Sequence, residues 1–481
     1  MEFVQQSKVS RPPATAMLAA MAALGLLGFL MLTFPSLAVG AVAIAGGIAI
    51  IWAARHVQGS GAHLLCALLL VEELSGASFL PFTSDQLYMV RYPLLIAFCG
   101  TAVWTAFQDP EIWQGGFLDY LIFLGLGVIS ITYSLLPSYS AARILAAILM
   151  FMAIVRIART VTNREDIERL LSWFLVGTGI VWTVILVCMV TMSHDLIWDV
   201  EEMTGLVRLR GVYGSPNQIG EIALATICAS MVVWSSTIGW KRALLAAQMV
   251  VAFALGVLAD SRSPFVGMAV GGLLYLIWKY RFRAVPIIFA LGVVGLSLVS
   301  FANPEYFNRG DVTSLTGRTE VWKFAVEKIK QRPLVGYGFE VEGQIMQAHD
   351  FPIWWGPWEE GPRSSIHSEY LSKAVSLGVP ALLFWVFFFV RPWLALLRRK
   401  DDPWNLKPLF FLIVVPILIL NLTESTAGEC RYAVGMIATL CWALAERQRL
   451  AMLHRRPAAI SNQVIILKPV MGTAPMLRRA G

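Results

Sequence analysis

Leu170–Val190 reads LLSWFLVGTGIVWTVILVCMV, a run without one charged side chain. A helix needs about 20 apolar residues to cross the ~30 Å hydrocarbon core of a bilayer, and this run supplies that length. Similar windows recur on both sides of it. They fall near 14–33, 36–54, 62–80, 90–107, 117–135, 140–155, 169–192, 218–237, 243–259, 264–279, 284–301, 369–396, 406–422 and 432–446. The third is interrupted by Glu72 and Glu73, and the first two share only the turn Phe34-Pro35-Ser36. The pattern predicts an all-α, polytopic transmembrane helix bundle of about 12–14 spans.

The composition agrees. The 481 residues are 57% apolar and 14% charged, and the mean hydropathy is +0.66; soluble domains run near 45–50% and 25%. A soluble enzyme, a disordered chain and a nucleic-acid-binding module are excluded. Cys66, Cys99, Cys188, Cys228 and Cys441 lie inside apolar stretches and Cys430 near a span end, with no CxxC pair. They read as packing residues, not as a disulfide framework or a zinc site.

The net charge of +7 matters less than where the charges sit. With the N-terminus in the cytoplasm, the inner segments collect Lys8, Arg11, Arg55, Arg156, Arg159, Arg164, Arg169, Lys241, Arg242, Lys279, Arg281, Arg283, Arg398, Arg399, Lys400 and Lys407. The short outer segments hold only Arg91, Arg143, Arg208, Arg210, Arg262 and Arg431. The positive-inside bias sets this orientation, with both termini cytoplasmic. The first apolar run lacks a convincing small-x-small cleavage site and reads as a retained span. Four regions follow: an N-terminal transmembrane bundle (1–301), a long outer loop (302–367), C-terminal transmembrane helices (368–447) and a basic tail (448–481) near anionic headgroups.

The loop carries its own pattern. Between Thr316 and Gln331, Trp322, Ala325, Val326 and Ile329 recur at helical spacing, with Lys323, Glu327, Lys328 and Lys330 on the other face. This predicts an amphipathic helix on the membrane surface or across the bundle mouth, N-capped by Thr316 or Thr319. Pro333 and Gly336-Tyr337-Gly338 end it. An aromatic patch follows (Phe351, Trp354, Trp355, Trp358), suited to an interfacial belt or to stacking on sugar rings. The loop closes on Ser364-Ser365-Ile366-His367-Ser368-Glu369-Tyr370-Leu371, with His367 expected in the first turn of the next span. An imidazole there can take a proton from a hydroxyl, or it can simply help to cap the helix. Arg210, before Gly211-Val212-Tyr213-Gly214-Ser215-Pro216-Asn217, and Arg262, in Asp260-Ser261-Arg262-Ser263-Pro264, face the same side. Guanidinium groups there can bind phosphate bidentately or act as interfacial anchors. Arg318, at the start of the amphipathic helix, is a third candidate.

The ordered motifs Gly317-Arg318-Thr319-Glu320-Val321-Trp322, Arg332-Pro333-Leu334-Val335-Gly336-Tyr337-Gly338 and His367-Ser368-Glu369-Tyr370-Leu371 before Gly378 resemble those of the O-antigen ligase and polymerase superfamily. Arg208-Leu209-Arg210-Gly211 with Pro216-Asn217, and Ser261-Arg262-Ser263, resemble its two upstream patches. The resemblance covers roughly 200–390. It implies a bacterial inner-membrane enzyme that transfers a glycan, at the periplasmic face, from an undecaprenyl-diphosphate-linked donor to an acceptor hydroxyl. The acceptor is lipid A–core in the ligases and a growing polysaccharide in the polymerases. The resemblance assigns His367 as base and Arg210 and Arg262 to the donor diphosphate, without metal, nucleotide sugar or other cofactor, in one inverting displacement; Arg318, at a recurrent family arginine, is taken as a third diphosphate ligand. Glu369, two residues on, could orient His367, but i and i+2 lie on different helix faces. The family often has Asn where this chain has Ser368, which replaces it without loss if the role is capping and shifts sugar preference if it is contact. The long loop favours ligase over polymerase. A transporter or flippase is the alternative from another class, argued from Glu72, Glu73 and Glu221, and a monophosphate-donor glycosyltransferase is a further one.

Overall fold

The computed structural model describes residues 61–74, 99, 110–201, 206–213, 215–280, 318–348, 365–425 and 432–454. They form a helical bundle. Five helices are long and apolar enough to cross a membrane: Pro137–Arg159, Arg164–Thr191, Pro216–Ser236, Trp240–Leu258 and Val379–Leu397. Gly115–Ser130 and Lys407–Leu420 are shorter and equally apolar. The windows expected near 14–33, 36–54 and 284–301, and that near 90–107 apart from Cys99, lie outside the described residues.

In chain order the helices are α1 (Gly61–Leu74), α2 (Gly115–Ser130), α3 (Pro137–Arg159), α4 (Arg164–Thr191), α5 (Pro216–Val233), α6 (Trp240–Leu258), α7 (Arg262–Tyr280), α8 (Arg318–Gln331), α9 (Glu342–Ala348), α10 (Glu369–Leu377), α11 (Val379–Leu397), α12 (Lys407–Leu420) and α13 (Tyr432–His454). Their boundaries follow local chemistry. Asn163 caps α4 by accepting from the Asp166 amide at 3.0 Å, an interaction worth about 1 kcal/mol. Pro137 and Pro216 sit at the first position of α3 and α5, where a missing N–H costs nothing.

Helix α13 runs through the middle of the core. Its Trp442 is buried against Phe117 and Tyr120 of α2, Phe151 of α3, and Phe388 and Phe389 of α11, and its Nε1 donates to the Phe388 carbonyl at 3.1 Å. Lipid tails give helices no hydrophobic reason to associate, so such packing and hydrogen bonding must hold the bundle. Close approach serves the same end where Gly267 and Gly271 of α7 meet α12: a Cβ there would lie 2.7 Å from the Pro416 carbonyl oxygen and 2.6 Å from that of Phe411. Helix α12 accommodates Pro416 with a wide turn over Phe410–Val414.

The bundle has two chemically different ends. At one, Arg447 donates to the carbonyls of Ala158 and Val161 at 2.6 and 3.0 Å and Gln448 to Asp402 at 3.0 Å, so the α3–α4 turn, the start of α12 and the end of α13 lie together. At the other, the starts of α5, α7, α8 and α10 meet the end of α12.

Four expectations need correction. The window 369–396 is not one span: Gly378, at φ +85°, separates α10 from α11. The break arises because the turn segment Pro333–Gly338 docks there backbone to backbone. The Tyr337 and Gly338 amides donate to the Ser376 carbonyl at 3.2 and 2.9 Å, and the Val379 amide donates to Pro333 at 2.8 Å. Second, Val326, expected on the apolar face of α8, is exposed; the helix packs on the bundle, one of its two expected placements, and buries Val321 and Ala325 with Tyr337, Val341, Ile345, Ile366 and Val375. Third, Thr319 lies inside α8 and does not cap it; Thr316 is outside the described residues. Finally, an antiparallel hairpin, β1 (Trp198–Glu201) with β2 (Leu206–Leu209), stands between α4 and α5, pairing Asp199 with Arg208 in register.

Candidate functional site

The second end of the bundle gathers its polar side chains around Glu424, in the turn that follows α12. The carboxylate is 6% exposed and its two oxygens are used differently. Oε2 meets His367 Nδ1 at 3.0 Å. Oε1 accepts from Arg318 Nη2 and, at 2.9 Å, from Asn217 Nδ2. Asn217 Oδ1 in turn accepts from Arg208 Nη2 at 3.1 Å. Arg208 also donates to the backbone carbonyls of Ala259 (3.2 Å) and Asp260 (3.5 Å), and the Asp260 carboxylate lies 3.7 Å from Arg262 Nε. One connected network therefore runs from His367 through Glu424 to Arg318, and through Asn217 and Arg208 to the loop that holds Arg262.

His367 is fixed by its backbone as much as by its ring. It is not in the first turn of the helix, as expected, but one residue ahead of the N-cap Ser368, at φ +53°. Its amide donates to Ser365 Oγ at 3.1 Å. On one side, Trp322 Nε1 of α8 donates to the Ile366 carbonyl at 3.2 Å. On the other, the Glu369 amide donates to the carbonyls of Asn421 (3.0 Å) and Glu424 (3.1 Å). A left-handed conformation costs a non-glycine residue roughly 1–2 kcal/mol, and these flanking bonds hold it. Ser368 occupies the N-cap without a side-chain cap hydrogen bond. With Nδ1 on the carboxylate, the ring of His367, 25% exposed, keeps Nε2 as the nitrogen that can accept a proton.

The three arginines singled out in the sequence fare differently. Arg318 shares a carboxylate with His367. Arg262 joins through Asp260 and is 37% exposed. Arg210 follows β2, and its Nη2 donates to the Leu196 carbonyl at 3.1 Å, which ties it to the chain leading into the hairpin, not to Glu424. Glu369, weighed as a partner of His367, pairs instead with Lys373 at 3.2 Å, both side chains buried. Close by, Tyr213 donates to Glu73 Oε2 at 3.0 Å, while Glu73 Oε1 accepts from the Ala433 amide at 2.5 Å. Burial first, and then the Glu73 carboxylate, hold the Tyr213 phenol well above its ordinary range, so it donates and does not ionise. Glu73 thus clamps the loop before α5 to the start of α13. Glu221 of α5 lies within electrostatic reach of Glu424, Glu73 and Arg318.

Sequence reading missed Glu424 and gave Arg208 and Asn217 no site role. The signal for Glu424 was a lone carboxylate closing the apolar run before Asn421-Leu422-Thr423. The aromatic patch Phe351, Trp354, Trp355 and Trp358 lies outside the described residues.

Apolar helices of spanning length, glycine-mediated helix contacts and a polar cluster at one bundle end define a multi-pass helical membrane protein. Residues 247–386, which include Arg262, Arg318 and His367, match the family model described as O-antigen ligase. No curated protein matches the chain.

Proposed function

We propose that the protein is a glycosyltransferase that moves a glycan from an undecaprenyl-diphosphate-linked donor to an acceptor hydroxyl at the periplasmic face of the inner membrane, most simply as an O-antigen ligase acting on lipid A–core. The observation that carries this reading is the convergence of His367 and Arg318 on the carboxylate of Glu424, within a network that extends to Arg262. The orientation is supported by Arg156, Arg159, Arg164, Arg169, Lys241, Arg242, Arg398, Arg399, Lys400 and Lys407, which belong to turns at the other end of the bundle.

In this reading the acceptor O–H bond breaks as its proton passes to His367 Nε2. The hydroxyl oxygen forms a bond to the anomeric carbon, and the bond from that carbon to the diphosphate oxygen breaks, leaving its electron pair on the diphosphate. A single displacement of this kind inverts the anomeric carbon. Arg318 and Arg262, with Arg210 at the hairpin, meet the charge that gathers on the leaving group. A positioned base contributes typically 10²–10⁴-fold, and cationic donors add a few kcal/mol each where water is partly excluded.

The test is glycan analysis of envelope lipids from a deletion strain complemented with wild type or His367→Ala. The expected result is lipopolysaccharide without polymer, accumulated lipid-linked polymer, and no rescue by the alanine variant at normal membrane levels. Accumulation of single repeat units would instead identify a polymerase with the same chemistry. Full rescue by His367→Ala would remove the base.

A further inference from the structure

We infer that Glu424 is a positioning residue that couples donor binding to the base. This rests on the reading of His367 as base and Arg318 as a diphosphate ligand.

The geometry behind it is the division of one buried carboxylate between two partners. Oε1 is shared by Arg318 and Asn217, and Oε2 faces His367 Nδ1. Glu424 is itself anchored at both ends of its backbone: its amide donates to Leu420 at 2.9 Å and its carbonyl accepts from Glu369 at 3.1 Å, immediately after the His367–Ser368 pair. The carboxylate and the histidine backbone therefore move as one unit. Other charged groups that face Glu424 are Glu221, across from it on α5, and Arg208, one hydrogen bond away through Asn217.

Two consequences follow. A carboxylate on Nδ1 fixes the tautomer with the proton on Nδ1, turns Nε2 outward and stabilises the charge the ring gains when it takes the acceptor proton. And because the same carboxylate neutralises Arg318, a donor diphosphate competes with Glu424 for that guanidinium. As Arg318 turns to phosphate, Oε1 loses a cation and more of the negative charge is left to hold the ring. Base competence then arrives with the donor, which limits idle proton abstraction in an unloaded site.

Glu424→Gln and Glu424→Asp separate this from a structural role. Purified protein would be added to deletion-strain membranes, which hold the accumulated donor and its acceptor. For Glu424→Gln the expected kcat falls about ten- to a hundredfold, less than loss of the base itself. The donor KM falls as well, since Arg318 is no longer neutralised. The acidic limb of the pH–rate profile moves to lower pH, because a neutral amide replaces the carboxylate that faced Nδ1. Glu424→Asp keeps the charge and restores the position of that limb even where its rate is reduced. A Glu424→Gln enzyme with wild-type kcat and limb overturns the inference, as does one whose kcat falls and KM rises with the limb unmoved. If Glu424→Gln does not accumulate as folded protein, the aspartate variant decides: a wild-type limb with lowered kcat supports the coupling, and a displaced limb removes it. Activity in His367→Ala would instead overturn the functional reading on which this rests.

Discussion

Two buried carboxylates at opposite ends of the bundle have been put to different uses. Glu446 of α13 is fully buried and surrounded by groups that only hold helices together. It accepts from the Gly116 amide at 2.5 Å and from Arg449 through two bonds of 2.5 and 2.7 Å, while Arg391, itself 2.5 Å from Asp119, stands 3.7 Å away. Glu424 has as many partners, but one is a half-buried imidazole and another a guanidinium from the loop helix α8. A carboxylate enclosed by a backbone amide and two arginines has nothing left to give a substrate. One that divides itself between the imidazole proposed as base and the guanidinium proposed to bind phosphate is arranged for change. The difference lies in the partners, not in burial or residue type.

That contrast is broken most readily at the structural end. Glu446→Ala leaves the Arg449 guanidinium without its carboxylate, Arg391 with the Asp119 carboxylate only, and the Gly116 amide without its acceptor, and removing one partner of a buried charge cluster costs about 3–5 kcal/mol. The expected outcome is a large loss of folded protein from membranes, with specific activity per folded molecule retained. Glu424→Gln should do the reverse. Membrane level and thermal unfolding in detergent, measured for both variants, check this. Equal destabilisation of the two would erase the distinction drawn here.

Much of the fold could be read before any coordinates. The helical spacing of Trp322 and Ala325 predicted α8, and long apolar runs predicted α3, α4, α5, α6 and most of α11. What hydropathy missed was set by contacts distant in sequence. An apolar window from 369 to 396 gives no sign that Pro333 and Tyr337 will insert their backbone at Ser376 and Val379. For the site, His367 and Arg318 were visible because each sits in a motif. Glu424 was not, because its tie to His367 spans 57 residues and forms only when the end of α12 meets the start of α10.

The docking of that segment offers a second test, intermediate in size. Gly336 lies at φ +67°, and a Cβ there would strike the Ser376 carbonyl. Gly336→Ala adds about 1–2 kcal/mol of backbone strain before any clash, and it pushes the Pro333–Gly338 segment off α10. Since α10 begins two residues after His367, transfer activity should fall several-fold, together with a lowered unfolding temperature. A fall in stability without a fall in activity would show that α10 holds His367 independently of the segment packed on it.

The smallest effect should come from Trp322→Phe, which touches the site only through its outer support. The variant keeps the aromatic face against the second apolar cluster, where Trp322 packs beside Val321 and Ile366, and removes one hydrogen bond, from Nε1 to the Ile366 carbonyl. A single neutral hydrogen bond is worth about 1 kcal/mol net, and the carbonyl it frees belongs to the residue just before His367, the proposed base. The positive φ of His367 is then held by the Glu369 amide and by the bond from its own amide to Ser365 Oγ. The expected outcome is a fall in kcat of up to about fivefold, as ~1 kcal/mol converts to rate, with donor KM unchanged because Arg318 and Glu424 keep their contact. Steady-state kinetics on deletion-strain membranes would read this split. A rise in KM instead would mean that α8 acts chiefly by presenting Arg318, and that the loop helix belongs to the donor side of the site.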